Sequence, residues 1–262
     1  MKTLFISFTC IVLSLGLCSC FSGCQKRTLT LVSYNVGAFS KEDEDSSQDI
    51  AVFLKDIDAY TAGLNEVDSC NMRHNVNQAA NLASLLGPEW GYSFGRAIEF
   101  AGGSYGNAVV SRETVLRGGN LSLPQLDGCE QRSCTYIETA DYVFAAVHLD
   151  HVSEEARLAQ LAIVTSSMKE LYKSCRKPVF LAGDFNAEPG SVTLNKAEED
   201  WDVLTPAEYS YSAKNPRKCI DYIMQLKGSG KIEVIAAGTL APTTATGIPL
   251  SDHLPLYIKI SL

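Results

Sequence analysis

Asp184-Phe185-Asn186 follows directly on the apolar run 179–182, within the stretch Gly183-Asp184-Phe185-Asn186-Ala187-Glu188-Pro189. A carboxylate and an amide two residues apart, just beyond a strand end, can both project into a cleft. An isolated Asp-x-Asn would be read as an Asx turn, but this one has company. Ser251-Asp252-His253-Leu254-Pro255 sets a metal-ligand type beside a general-base type. Asp221 lies inside the apolar run Cys219-Ile220-Asp221-Tyr222-Ile223, where an unpaired charge is costly, so it needs a partner and a histidine is the natural one. The chain has four histidines, and His148 and His253 both sit beside strand ends with carboxylates close in sequence. Asn35 and Glu66 each stand where an apolar strand gives way to a loop. Hard cations such as Mg²⁺ take few protein oxygens and keep waters, so one Glu with Asn and Asp neighbours is enough for a site.

The elements that must carry these residues can be read from periodicity. Strands are expected at 29–36, at a segment ending on Asn65-Glu66, and at 92–96, 106–111, 115–121, 134–138, 142–149, 178–183, 219–225, 232–237 and 254–260. The run 143–147 is apolar throughout, which predicts burial on both faces. Ile50, Phe53, Leu54 and Ile57 have helical spacing behind Ser46 and Asp49, and Val76, Ala79, Ala80, Ala83 and Leu86 repeat it up to Gly87-Pro88. Ser153, with Glu154 and Glu155, opens a third helix whose inner face is expected to be Leu158, Leu161, Met168 and Leu171. Lys41 to Gln48 reads as an acidic loop. Many strands and three clear helices in mixed order indicate an α+β domain, sheet packed on sheet with helices outside.

At 262 residues and 46% hydrophobic content, the chain can bury one large core, and no repeat or linker divides it. Lys2 precedes an apolar run from Leu4 to Leu17, too short to span a bilayer, and then come Cys18, Cys20 and Cys24. Leu17-Cys18-Ser19-Cys20 and Phe21-Ser22-Gly23-Cys24 both resemble the lipobox of bacterial lipoproteins. The expectation is therefore a signal peptide over 1–24, cleavage before Cys20 or Cys24, and a domain over 25–262. The alternative is an ordinary cleaved secretory signal; either way the domain works outside the cytoplasm, and the lipobox adds a membrane anchor at the bacterial cell envelope. Of the later cysteines, Cys129 and Cys134 flank a short loop and are candidates for a disulfide, with two free thiols as the alternative. No paired CxxC supports a structural zinc site. Net charge is −8, and without Lys2 there are 21 basic against 30 acidic residues, scattered rather than striped, which disfavours a nucleic-acid partner. A monomer is expected.

Taken together, Ser33-Tyr34-Asn35-Val36, Asn65-Glu66, His148-Leu149-Asp150, Gly183 to Pro189, Cys219 to Ile223 and Ser251 to Pro255 resemble, in order, the motifs of the endonuclease/exonuclease/phosphatase superfamily. That superfamily includes DNase I, AP endonucleases, neutral sphingomyelinases and inositol polyphosphate 5-phosphatases. The resemblance implies a four-layer α/β/β/α sandwich with two mixed sheets face to face, and hydrolysis of phosphate esters, most of all diesters, by in-line attack of water. It implies that Glu66 ligates Mg²⁺, with Mn²⁺ or Ca²⁺ as substitutes, helped by Asn35 and Asp252. By the same resemblance Asp184 and Asn186 orient the water and hold the phosphate. His253, paired with Asp221, would act as base or transition-state stabiliser, and His148 would donate to a phosphate oxygen or the leaving group. Tyr105 and Asn107 resemble a segment lining the phosphate pocket, with Arg112 after it. His148 brings the chain nearer the DNase I and sphingomyelinase branches. Asn65 departs from the common Gln-Glu-Val, keeping the amide but shortening its reach.

Two rivals stand beside this reading: an extracellular nuclease with the same chemistry, and a non-catalytic lipoprotein that keeps the fold for binding. Residues 95–104 and 205–218 are the loops expected to choose the substrate, with Tyr209 and Tyr211 either stacking on it or covering core.

Overall fold

Alternation of apolar residues along the strands dictates where they pack. In the computed structural model, which describes residues 27–262, Val143, Ala145 and Val147 face one hydrophobic layer while Phe144 and Ala146 face another. That is the burial on both faces expected of a continuous apolar run. The signal peptide and lipobox lie outside the described residues.

The elements follow as β1 (Thr28–Asn35), α1 (Ser47–Asp56), β2 (Ala59–Ser69), α2 (Gln78–Leu86), β3 (Gly91–Phe100), β4 (Gly103–Ser111), β5 (Arg117–Ser122), β6 (Ser133–Glu138), β7 (Val143–His148), α3 (Glu154–Tyr172), β8 (Val179–Asp184), α4 (Val192–Asp200), β9 (Trp201–Val203), β10 (Asp221–Leu226), β11 (Glu233–Thr239) and β12 (Leu256–Ser261). They form two six-stranded mixed sheets, ordered β11-β12-β1-β2-β4-β3 and β5-β6-β7-β8-β10-β9. Three apolar layers hold the sandwich together. Leu31, Val109, Phe144, Phe180, Ile223 and Ile258 fill the space between the sheets. Ile50, Leu54, Leu82 and Leu86 of α1 and α2 cover the first sheet, and Leu161, Val164, Met168 and Leu194 of α3 and α4 cover the second. The result is the α/β/β/α arrangement, each large side chain such as Phe180 contributing about 1.5–3 kcal/mol by leaving water.

Each sheet contains one parallel pair, β1 with β2 and β7 with β8, while its other pairings are antiparallel. A parallel pair needs a crossover, and α1 and α3 supply the two. Consequently the carboxyl ends of β1, β2, β7 and β8 lie at one end of the sandwich, with Asn35 opposite Asn65 and His148 opposite Asp184 in register.

The structure corrects several local expectations. β2 does not stop at Glu66 but runs on to Ser69, with the register shifting between Leu64 and Val67. α2 begins at Gln78 under an Asn77 cap, leaving Val76 exposed before it. The buried face of α3 is Ala156, Gln160, Leu161, Val164, Thr165, Met168 and Tyr172, while Leu171 is 36% exposed. Gln160 is inside because its amide is used: its Oε1 accepts from Asp150 N and its Nε2 donates to Pro124 O. α4, capped by Ser191, was not expected at all. Residues 95–104 are no loop; they belong to the β3–β4 hairpin. Of the two alternatives open for Cys129 and Cys134 the free thiols are the ones found, Cys134 being packed in the apolar layer under α3 while Cys129 interacts with Asp150 and Ser153.

Candidate active site

Glu66 owes its direction to an irregularity. It sits in the β2 bulge with φ of +58°, a conformation that re-aims a side chain out of the regular pleat. Its Oε1 accepts from Asn35 Nδ2 at 3.2 Å, and Lys41 Nζ stands 3.6 Å from its Oε2. Asn35 Nδ2 also lies 3.3 Å from Asp184 Oδ2 and 3.4 Å from His253 Nε2, so this one amide touches three groups of the site. Asn35 Oδ1 accepts from Gly37 N. Gly37 has φ of +52°, and a Cβ there would run into the Lys41 side chain and approach Asp252 Oδ1 at 3.1 Å, so Asp252 borders the same corner.

Asp184 is the hub. Its Oδ2 lies 3.5 Å from His148 Nε2 and 3.6 Å from His253 Nε2, while its Oδ1 accepts from Asn186 N at 2.8 Å. The Asx-turn reading of Asp184-Phe185-Asn186 thus holds together with the site reading. Asn186 gives one N–H of its Nδ2 to Leu149 O at 3.0 Å, which leaves its Oδ1 and the second N–H to face a ligand. The partner of Asp221 is His253: its Oδ2 lies 2.9 Å from His253 Nδ1 and accepts from Ser210 Oγ at 2.6 Å. Ser251 Oγ donates to Asn35 O, which ties the Asp252-His253 loop to the end of β1. The Tyr211 ring packs against His253 with centroids 4.7 Å apart, whereas Tyr209 is exposed.

Burial sets the protonation of this group. Asp184, Asp221, His148 and His253 are all at most 6% exposed. Burial pushes the Asp184 carboxyl up and the charge of Asp221 adds to it, outweighing His253, so Asp184 is raised to about 7. For His253 burial works the other way, but the charge and hydrogen bond of Asp221, then Asp184, override it and raise the imidazole to about 10. His148 is lowered well below its ordinary value, first by burial and then by the Arg132 guanidinium, so it is neutral. The site therefore holds one imidazolium, one neutral imidazole and a carboxyl poised between its two forms.

Ligand atoms of Asp184, Asp221 and His253 lie within 4.8 Å of one another, a buried acidic and histidine cluster able to hold a metal ion. Within it Asp221 Oδ2 is committed to His253 and Ser210 while its Oδ1 is buried without a partner, and on the other side of Asp184 Glu66 offers a further carboxylate. There Glu66 has the Lys41 ammonium as its neighbouring positive charge, so the carboxylate already accommodates a cation. Asn35 turns its N–H, not its oxygen, toward Glu66, so as placed it bridges the two carboxylates.

Two further expectations change. Arg112 is at the far end of the first sheet: it bonds Asp58 at 2.9 Å, just before β2 begins, and stacks on Tyr60, so it takes no part in the site. Asn107 is buried and fully engaged, donating to Ser133 O and accepting from Asn65 Nδ2, which makes it a strut between the sheets. Asn65 completes that strut by donating to Val147 O and accepting from Asp184 N. Its shorter amide thus fixes Asp184, and Gly183 is required beside it, since a Cβ there would meet Val147 O at 1.9 Å. Tyr105 stays at the rim beside Phe100 and Arg73, and burial followed by the charge of Glu66 raises its phenol. Sequence reasoning missed Lys41, Ser210, Ser251 and Arg132, whose guanidinium is buried against His148.

The pattern of the endonuclease/exonuclease/phosphatase family matches residues 32–253, the whole span from the middle of β1 to His253. The chain belongs to this family. Uncharacterized protein YbhP of Escherichia coli K12 is 30% identical over 181 residues, covering 65% of this chain and 68% of that protein. Among solved structures, the family member from Bacteroides vulgatus superposes with a TM-score of 0.72 at 21% identity, covering 90% of this chain and 100% of the other. The mannosyl-6-phosphatase of Bacteroides thetaiotaomicron does so with 0.69 at 18%, covering 88% and 99%. D. rerio TDP2 complexed with single strand DNA product gives 0.68 at 14%, covering 89% and 98%. With this family the chain shares a phosphoesterase or nuclease type of hydrolytic activity on phosphate esters.

Proposed function

We propose that this family member hydrolyses phosphate diesters by in-line attack of water, with Mg²⁺ as the preferred metal. The observation that carries the reading is the convergence on Asp184 of Asn35, His148 and His253, with Glu66 one hydrogen bond further out. Glu66, with Asp252 at the same corner, would hold the cation, which would supply Lewis-acid neutralisation of the phosphoryl charge. Asp184, raised toward neutrality, accepts the proton of the attacking water, since a base titrating near the working pH is the most effective one. Asn186 Oδ1 orients that water. His253, kept cationic by Asp221, faces the negative charge that builds up on the phosphoryl oxygens, and neutral His148 donates its N–H to the phosphoryl or leaving oxygen. Two structural relatives, a mannosyl-6-phosphatase and a TDP2 complexed with single strand DNA product, support phosphorylated substrates in general. The net charge of −8 favours a small or lipid-borne ester over a long nucleic acid.

The same proposal has the domain act as a monomer outside the cytoplasm, tethered to the cell envelope through a lipidated Cys20 or Cys24; its support is the leader pattern in the sequence. The test is a panel of an aryl phosphodiester, an aryl phosphomonoester, sphingomyelin and DNA, each with Mg²⁺, Mn²⁺, Ca²⁺ and EDTA. Fastest turnover of a non-nucleic diester in Mg²⁺, abolished by EDTA, is the expected result. Exclusive monoester cleavage, preferred DNA cleavage or undiminished turnover in EDTA would refute the corresponding part.

A further inference from the structure

Arg132 stands one residue before β6 and is 4% exposed, an unusual place for a guanidinium that pairs with no carboxylate of the site. Its Nη1 donates to His148 Nδ1 at 3.3 Å and its Nη2 donates to His151 Nδ1 at 3.2 Å. Glu130, with Oε1 2.9 Å from Nη1, holds the fork in place. A guanidinium has five N–H donors and no acceptor. Each imidazole nitrogen that faces it must therefore present a lone pair; a proton at His148 Nδ1 would set N–H against N–H in a buried space. The opposite ring nitrogen, Nε2, faces Asp184 Oδ2 at 3.5 Å, and a carboxylate oxygen calls for a proton there. Both neighbours of the ring thus ask for the same tautomer.

We propose that Arg132 is a positioning residue that locks His148 as its Nε2–H tautomer, so that the ring points a hydrogen-bond donor at the reaction centre and cannot serve there as a base. The guanidinium does for His148 what Asp221 does for His253, with opposite charge. An anion at Nδ1 stabilises an imidazolium, whereas a cation at Nδ1 enforces a neutral donor. Two histidines flanking one carboxylate are in this way given different tasks. His151, the second ring on the fork, is held as Nε2–H by the same rule. The catalytic consequence rests on the hydrolase reading; the tautomer does not.

The experiment is a long-range ¹H–¹⁵N correlation of the full chain labelled at histidine, recorded near neutral pH without substrate. His148 is expected to show an unprotonated Nδ1 and a protonated Nε2; a protonated Nδ1 in the wild-type protein would overturn the proposal without any variant. In Arg132→Met, which fills the space without donors, an Nδ1–H population is expected to appear, and an unchanged spectrum of the folded variant would deny Arg132 its role. Arg132→Lys, still a donor without an acceptor, should keep Nδ1 of His148 unprotonated, and the opposite result counts against the proposal. In turnover, Arg132→Met should lower kcat roughly tenfold or more with KM little changed. It should cost nothing further in a His148→Ala background, where additive losses would contradict the assignment. Because the spectrum needs no turnover, a protein that hydrolyses none of the tested esters would sink the hydrolase reading and leave the tautomer result standing.

Discussion

Asp221 Oδ2 and His253 Nδ1 lie 2.9 Å apart although 32 residues separate them in sequence, and both are buried, Asp221 at the amino end of β10 and His253 in the loop that leads into β12. The carboxylate orients the ring and keeps it cationic. Asp221→Asn should therefore lower the imidazole from about 10 toward its ordinary range and reduce kcat by about 10²–10⁴-fold. A ¹H NMR titration of His253 together with kcat checks both parts; an unshifted ring would contradict the pairing.

Asp68 offers a stability test away from the chemistry. It is buried, and burial pushes its carboxyl up, but hydrogen bonds from Arg73, His74 and Asn71 prevail and hold it below the usual value. A depressed folded value means that the stabilisation is complete above the ordinary carboxylate range and is lost as pH falls below that range through the lowered folded value. Asp68→Asn should cost about 1–3 kcal/mol at neutral pH and give a flatter loss of stability in acid. Urea unfolding at several pH values between 3 and 7 measures it.

Arg112 distinguishes the observed placement from the sequence expectation. Its bonds to Asp58 and the Tyr60 ring are surface interactions, worth about 1 kcal/mol or less together. Arg112→Ala should melt slightly earlier and leave kcat/KM within about twofold, because nothing of the site touches it. A large loss of activity would return Arg112 to the phosphate pocket.

The strut of Asn65 and Asn107 predicts a structural phenotype. Asn65→Leu leaves Asp184 N, Val147 O and Asn107 Oδ1 without their partner, at a cost of about 2–5 kcal/mol. Calorimetry should show the lowered Tm, and activity should fall with it because Asp184 loses its anchor.

Much of this was legible in the sequence because strand ends are marked by composition. The all-apolar run before His148 reads as a strand buried on both faces and the one before Asp184 as the next buried strand, which puts the polar residue after each at an edge of the core. Asp221 announced a partner by being charged inside an apolar strand. What escaped had no such contrast. Arg132 lies in a polar stretch, and only the packing of β6 beside β7 carries it to His148. α4 buries little beyond Leu194 and Ala197, too few positions to show a period. The direction of Glu66 depends on a bulge, which no side-chain pattern encodes.

The central claim is that Asp184 is the hub of a hydrolytic site, and the steady-state turnover of Asp184→Asn on the best phosphate ester tests it most directly. The variant keeps the shape, the hydrogen bond to Asn186 and the buried location, but not the proton acceptor. Loss of about 10³-fold in kcat by a protein that melts within a few degrees of wild type is the predicted result; turnover equal to wild type would contradict it.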